Sequence, residues 1–148
     1  LIRKAQISDI DDLVKLSDEF FKEGLNDYGM EMGEDCVRAS LNQYIDNLIL
    51  FVAYKDGELV GFIGGTINYS TFNKNQIIAQ ETAWFVSKKH RNGTIGLKLI
   101  SAFENECKDS GANFVIMVHM NNLNSSKLYK LYGRRGYKVL ETHYIKEF

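Results

Sequence analysis

The sequence predicts one α/β domain, of α+β type, with a central, mostly antiparallel mixed sheet flanked by helices. Three features carry that reading. Two runs rich in β-branched and aromatic residues, 48–54 and 59–68, are separated by Asp56-Gly57, a strong hairpin signal. A third run, 76–87, feeds a glycine-bearing loop that opens an amphipathic helix, in which Ile95, Leu99, Phe103 and Cys107 recur every four residues. At 148 residues with 45% hydrophobic content, the chain suits one continuous core, and division would leave two marginal pieces.

In chain order, residues 1–7 alternate loosely and read as a first strand. Ser8 or Asp9 then caps a helix with Ile10, Leu13, Val14, Ser17, Phe20 and Phe21 on one face. Periodicity is lost from Lys22 to Asp35, where Gly24, Asn26, Asp27, Gly29 and Gly33 mark a loop. A second helix fits 34–47, with Val37, Leu41, Tyr44, Ile45 and Leu48 on its inner stripe. In the returning strand of the hairpin, Gly61, Gly64 and Gly65 point to a bulge or a close backbone approach.

After a polar tip at 69–75 come the central strand and the long helix 94–110, which Gly111 is placed to stop. The apolar run 113–120 reads as a buried strand, 121–124 leads to a last helix ending near Arg135-Gly136, and 137–148 alternates enough for one or two final strands.

Composition narrows the function. Lys and Arg number 18 against 19 Asp and Glu, a formal charge of −1, so no net field draws the chain to nucleic acid or an anionic membrane. Cys36 and Cys107 lie far apart without C-x-x-C spacing, against both a disulfide framework and a zinc site. No apolar run approaches the roughly 20 residues of a membrane span, and Arg3, Lys4 and Asp9 interrupt any signal-like start. The expectation is a cytoplasmic protein that uses no metal.

The chemistry centres on the junction between the third strand and the helix after it. A strand feeding a helix N-terminus aims unpaired backbone N–H groups and the positive end of the helix dipole at one point, where a phosphate or pyrophosphate can sit. Gly93 and Gly96 allow close backbone approach there. Further along stands Leu131-Tyr132-Gly133-Arg134-Arg135-Gly136-Tyr137.

These two stretches resemble the GNAT acyltransferases, whose members carry Q/R-x-x-G-x-G/A after a central strand and L-Y-x-x-x-G-F/Y near the end of the fold. Arg91 and Gly96 occupy the first and last positions of the former, with Thr94 in the middle and Gly93 one residue early. Ile2-Arg3-Lys4-Ala5, followed by Asp9, Leu13 and Leu16, is similar to the family's opening strand and helix, so the resemblance spans nearly the whole chain.

The resemblance implies a sheet splayed at the central strands and acetyl transfer from acetyl-coenzyme A to a primary amine, by direct attack in a ternary complex. It implies that Asn92, Gly93, Thr94, Ile95, Gly96 and Leu97 give amides to the pyrophosphate, with Arg91 in the same loop, while Trp84, Phe85 and Val86 line the pantetheine arm. Asn124, or in strict register Ser125, stands where the family has a cofactor-side asparagine. Tyr132 takes the role of general acid toward the departing thiolate.

An alkylammonium must lose a proton before it attacks, and Glu81 and His119 are the candidate bases. Each also has a plain structural reading, Glu81 as a strand-edge charge and His119 as a strand-end histidine. The acceptor expected is a small-molecule or peptide amine, and a homodimer is a possible assembly. The alternative class is a non-catalytic acyl-coenzyme A binding or interaction module on the same fold. Acceptor choice is expected to reside in the loop 23–33 and the tip 69–75, with Asp27 and Glu31 as carboxylates for a cationic amine and Tyr28, Met30 and Met32 as an adaptable wall.

Overall fold

The computed structural model describes residues 1–148. Five strands, β1 (Ile2–Lys4), β2 (Ile49–Lys55), β3 (Glu58–Tyr69), β4 (Ile77–Val86) and β5 (Phe114–Ile116), lie side by side in sequence order. The first three pairings are antiparallel and β4–β5 is parallel. That last step needs a crossover, which the helix α3 (Ile95–Asp109) supplies. Helices α1 (Ile10–Gly24) and α2 (Glu34–Asn47) cover one face of the sheet. The helix α4 (Ser125–Arg134) joins α3 on the other.

The core is two layers divided by the sheet. Leu13, Leu41, Val52, Phe62 and Phe85 meet beneath α1 and α2, whereas Ile63, Ala79, Leu99, Phe103 and Cys107 meet beneath α3. The four-residue recurrence in α3 thus buries Leu99, Phe103 and Cys107 completely. Asp56 (φ 52°) and Gly57 (φ 79°) are both left-handed, which makes the β2–β3 link a tight turn matched to the strands' own twist.

The glycines of β3 answer to crowding. A Cβ on Gly65 would stand 2.5 Å from the Gln80 carbonyl oxygen and 2.6 Å from the Phe103 ring, and the register shifts between Gly64 and Gly65 at this point. Gly64 pairs with Ala83 and Gly65 with Glu81, so Thr82 is the extra residue of a bulge.

Several sequence expectations need correction. The first strand spans three residues, not seven. Asp9 precedes α1 but makes no cap bond, because its carboxylate is taken by the Arg3 guanidinium (2.7 and 2.8 Å), the Tyr54 hydroxyl (2.8 Å) and the Gln6 N–H (2.7 Å). Helix α1 runs on to Gly24. The strand expected over 113–120 pairs only through Phe114–Ile116, because beyond it the chain leaves β4.

No strand forms in 137–148. Apart from the Tyr137 N–H on the Tyr132 carbonyl, that segment has no backbone hydrogen bonds, and Val139, Leu140, Tyr144 and Phe148 are exposed. Alternation there reflects composition without a partner strand.

Candidate active site

The site is built where β4 and β5 part. Their last paired residues are Gln80 and Ile116. Two residues further along β5's path, the Val118 N–H donates not to a neighbouring strand but to Glu81 Oε2 (3.1 Å), and the Val118 carbonyl accepts from the Tyr132 hydroxyl (2.7 Å). Both main-chain groups of Val118 are therefore held by candidate catalytic side chains. His119 follows, outside any strand, with its ring stacked on that of Tyr132 at a centroid distance of 6.2 Å. Glu81, Tyr132 and His119, dispersed in sequence, meet around one residue.

Glu81 is 2% exposed and has no cationic partner, so it is not a strand-edge charge. Burial pushes its carboxyl up to about 8, only partly opposed by the Val118 N–H. At neutral pH it is mostly protonated and lies close to the range in which a base works best. Burial likewise raises the Tyr132 phenol above its ordinary value, with the Glu81 and Tyr137 charges adding to it. Tyr132 thus keeps its proton across the physiological range.

The second half of the site is the loop from β4 to α3. Arg91 N–H reaches the Lys88 carbonyl and Lys98 N–H reaches that of Thr94, but none of the N–H groups from Asn92 to Leu97 meets a protein acceptor. They form the open N-terminus of α3, with its dipole behind them. The shifted glycine of the motif does not disturb this path. Thr94 sits at φ −92°, which any residue adopts, and a Cβ on Gly93 would approach nothing closer than 3.9 Å. Gly96 is the crowded position, since a Cβ there would lie 3.2 Å from the Trp84 ring.

Trp84 Nε1 and Ser87 Oγ are buried beside this loop without a hydrogen-bond partner, as is His119 Nδ1 near Tyr132. Such atoms are costly unless something polar meets them. Trp84 also stands 6.4 Å from the Tyr132 ring, so the loop and the Glu81 fork share one wall. Phe85 and Val86 divide between the faces, Phe85 toward α1 and Val86 toward α3.

Arg91 does not face the open amides. Its Nε donates to the Val86 carbonyl (2.7 Å), its guanidinium lies over the Phe85 ring (4.9 Å), and NH2 stands 2.7 Å from Glu23 Oε2 without hydrogen-bond alignment. It ties the loop to α1. Asn124 and Ser125 both fall at the start of α4, Asn124 in the left-handed region (φ 55°), and line a polar cleft of about 640 Å³ with His119 and Lys130. Either register of the motif therefore reaches the same place. Arg135, inside the second motif, is held by Glu104 and Ser101 of α3, and Cys36 is exposed.

A second cavity, of about 350 Å³, lies on the opposite face of β4 between α1, α2 and the sheet. Of the loop residues expected to meet the acceptor, Glu31 and Met32 line it, and Tyr28 and Met30 do not. Asp27 does not, since it contacts the Asn122 side chain (3.4 Å), and the 69–75 tip is absent from its wall. Sequence reasoning missed its floor, where Tyr44 and Thr82 share a hydrogen bond of 2.6 Å. Only the paired glycines opposite Thr82 hinted at it.

The model of the acetyltransferase (GNAT) family matches residues 10–133. The chain belongs to that family. The GNAT fold is shared at low identity with a ribosomal-protein-alanine N-acetyltransferase from Brucella melitensis biovar Abortus 2308 (16% identity, TM-score 0.76, covering 100% of this chain and 99% of that one). An aminoglycoside N-acetyltransferase in complex with CoA is equally close (17%, TM-score 0.77, 100% and 93%). So is a Clostridium acetobutylicum protein described as a predicted acetyltransferase with acetyl-CoA (17%, TM-score 0.75, 99% and 95%). No curated protein matches the chain in sequence. No helix is long and apolar enough to cross a membrane.

Proposed function

We propose that this GNAT protein is an N-acetyltransferase that takes an acetyl group from acetyl-coenzyme A and gives it to a primary amine. The observation that carries the reading is the adjacency of the unpaired amides of Asn92–Leu97 to the Glu81–Val118–Tyr132 fork. The first suits a pyrophosphate and the second suits proton transfer.

The chain's residues fit the cosubstrate. The open amides and the helix dipole hold its pyrophosphate, Gly96 leaves room beside Trp84, and the gap between β4 and β5 takes the pantetheine arm along Trp84, Phe85 and Val86, with Asn124 and Ser125 on the α4 side. Acetyl-coenzyme A supplies a thioester acyl group whose transfer leaves a thiolate.

Glu81 acts as base. An arriving ammonium favours its carboxylate form, which then accepts one proton from the nitrogen. Tyr132 holds the proton that the thiolate requires, and its hydroxyl needs only to turn from the Val118 carbonyl. His119, stacked on Tyr132 with an unpartnered Nδ1, is the alternative base or a relay to solvent.

The test is a panel of amines with acetyl-coenzyme A, read as free thiol release, together with thermal unfolding with and without coenzyme A. A ligand bound by the native form alone stabilises by about 2.7 kcal/mol at a hundredfold excess over Kd. Thiol release that requires both an amine and Glu81 supports the reading. Protection by coenzyme A without turnover of any amine would leave a binding module.

A further inference from the structure

We infer that the acceptor is a small monocationic amine with an apolar, ring-sized body, not a polyamine or an aminosugar. The inference rests on the acetyl-transfer reading only for the fate of the nitrogen. The class itself is read from the cavity under α1 and α2.

That cavity, about 350 Å³, is at the lower end of the roughly 300–1,000 Å³ of small-molecule sites. Phe20, Phe21, Met32, Val37, Leu41 and Phe62 form its apolar wall. The rings are already set, with Phe20 edge-on to Phe62 at a centroid distance of 6.3 Å, so an aromatic or branched apolar body meets fixed surfaces. A hydroxyl-rich sugar would set most of its polar groups against this wall, since Ser17, Ser40, Tyr44 and Thr82 are the only hydroxyl side chains in the lining.

Charge gives the second argument. Glu31 is the sole charged residue in the lining and has neither an ion pair nor a hydrogen bond. Of the acidic residues next to the lining in sequence, Glu34 pairs with Arg38 (3.0 Å) and Asp35 is exposed outside the lining. A polycation would find one carboxylate in the cavity lining for its several charges. A monocation needs only Glu31 on entry. Thr82 and Ala83, at the cavity floor, lie between Glu81 and Trp84 in β4, so the strand that carries the fork also closes this cavity, and the nitrogen is set against that strand.

The experiment uses 2-phenylethylamine, spermidine and kanamycin as acceptors, and the unreactive tertiary amine N,N-dimethyl-2-phenylethylamine with neutral 2-phenylethanol as binding probes, followed by methyl NMR shifts of Met32, Thr82 and Ala83. The expected kcat/KM for 2-phenylethylamine exceeds that for spermidine or kanamycin by about a hundredfold. Glu31→Gln should weaken the tertiary amine about fivefold and leave the alcohol unchanged.

Val37→Trp, or Ser40→Leu at the exposed rim, should remove both probes while coenzyme A still protects against heat. Preference for either polycation, acetylation confined to peptide N-termini, or probe binding unaltered by both wall variants would overturn the inference. If no amine releases thiol yet the tertiary amine binds with the Glu31 dependence, acetyl transfer fails and the ligand class stands.

Discussion

Glu81 Oε2 accepts the Val118 N–H at 3.1 Å just past the point where β4 and β5 cease to pair. A carboxyl side chain takes the place that a neighbouring strand would fill, so the fork is closed by a titratable group. Burial of that group is tolerated because it is neutral when nothing cationic is near.

Stability should therefore fall through the neutral range. The Glu81 carboxyl is raised in the fold to about 8 from an ordinary value of 4.5, so between these limits the native state holds the extra proton. Its contribution is complete below the lower value and is lost as pH rises through the upper one. Asp9 behaves oppositely. The Arg3 guanidinium holds it down to about 2 from 3.8, so its contribution is present above 3.8 and lost as pH drops toward 2. Urea unfolding should show greatest stability near pH 4–5. Glu81→Gln should flatten the alkaline limb, gaining on the order of a few kcal/mol by pH 9. An unchanged alkaline slope in that variant would assign the loss to other groups.

Tyr132→Phe retains the ring among Trp84, His119 and Tyr137 but leaves the Val118 carbonyl unpaired. Turnover should fall by about 10²–10⁴ if the phenol is the acid, and stability by about 1–3 kcal/mol from the orphaned carbonyl. Coenzyme A affinity should stay nearly constant. A stability loss with full turnover would make Tyr132 a positioning residue only.

Much of this arrangement was legible in sequence, and what was not has physical causes. The hairpin, α2 and the β4–loop–α3 junction follow from local signals: Asp56-Gly57, the stripe through Val37 and Leu41, and the recurrence through Leu99 and Phe103. The fork is a tertiary event. Nothing in 113–120 marks where pairing with β4 stops, since Val115 inside β5 and Val118 beyond it have the same propensity. Arg91 read as a cofactor-side residue of the loop, and nothing local shows its pairing with Glu23, which lies on α1 and is brought to it only by folding. Burial of Glu81 follows from the bulge at Thr82, which only Gly64-Gly65 hints at.

The glycines separate crowding from habit. Gly65→Ala should destabilise by about 1–3 kcal/mol or more, because the new methyl meets the Gln80 carbonyl and the Phe103 ring. Gly133→Ala, exposed in α4 with nothing within 4 Å, should instead stabilise by about 0.5–1 kcal/mol. Chemical denaturation of the two single variants decides this. Equal effects would show that packing around β3 relaxes readily.

The loop to α3 should depend on Arg91 and Gly96 for different reasons. Gly96→Asp sets a carboxylate among amides suited to a phosphate and presses on Trp84, so protection by coenzyme A should disappear. Arg91→Ala removes a brace, not an anion contact, because the guanidinium is spent on Val86, Phe85 and Glu23. Coenzyme A affinity should drop only several-fold, with a salt dependence like that of the unmodified protein. A double-mutant cycle with Glu23→Gln should give a coupling of about 0.5–1 kcal/mol in stability, since the pair is only partly exposed. If Arg91→Ala instead flattens the salt dependence of coenzyme A binding and shows no coupling to Glu23, the guanidinium leaves α1 and turns to the phosphates when the ligand binds.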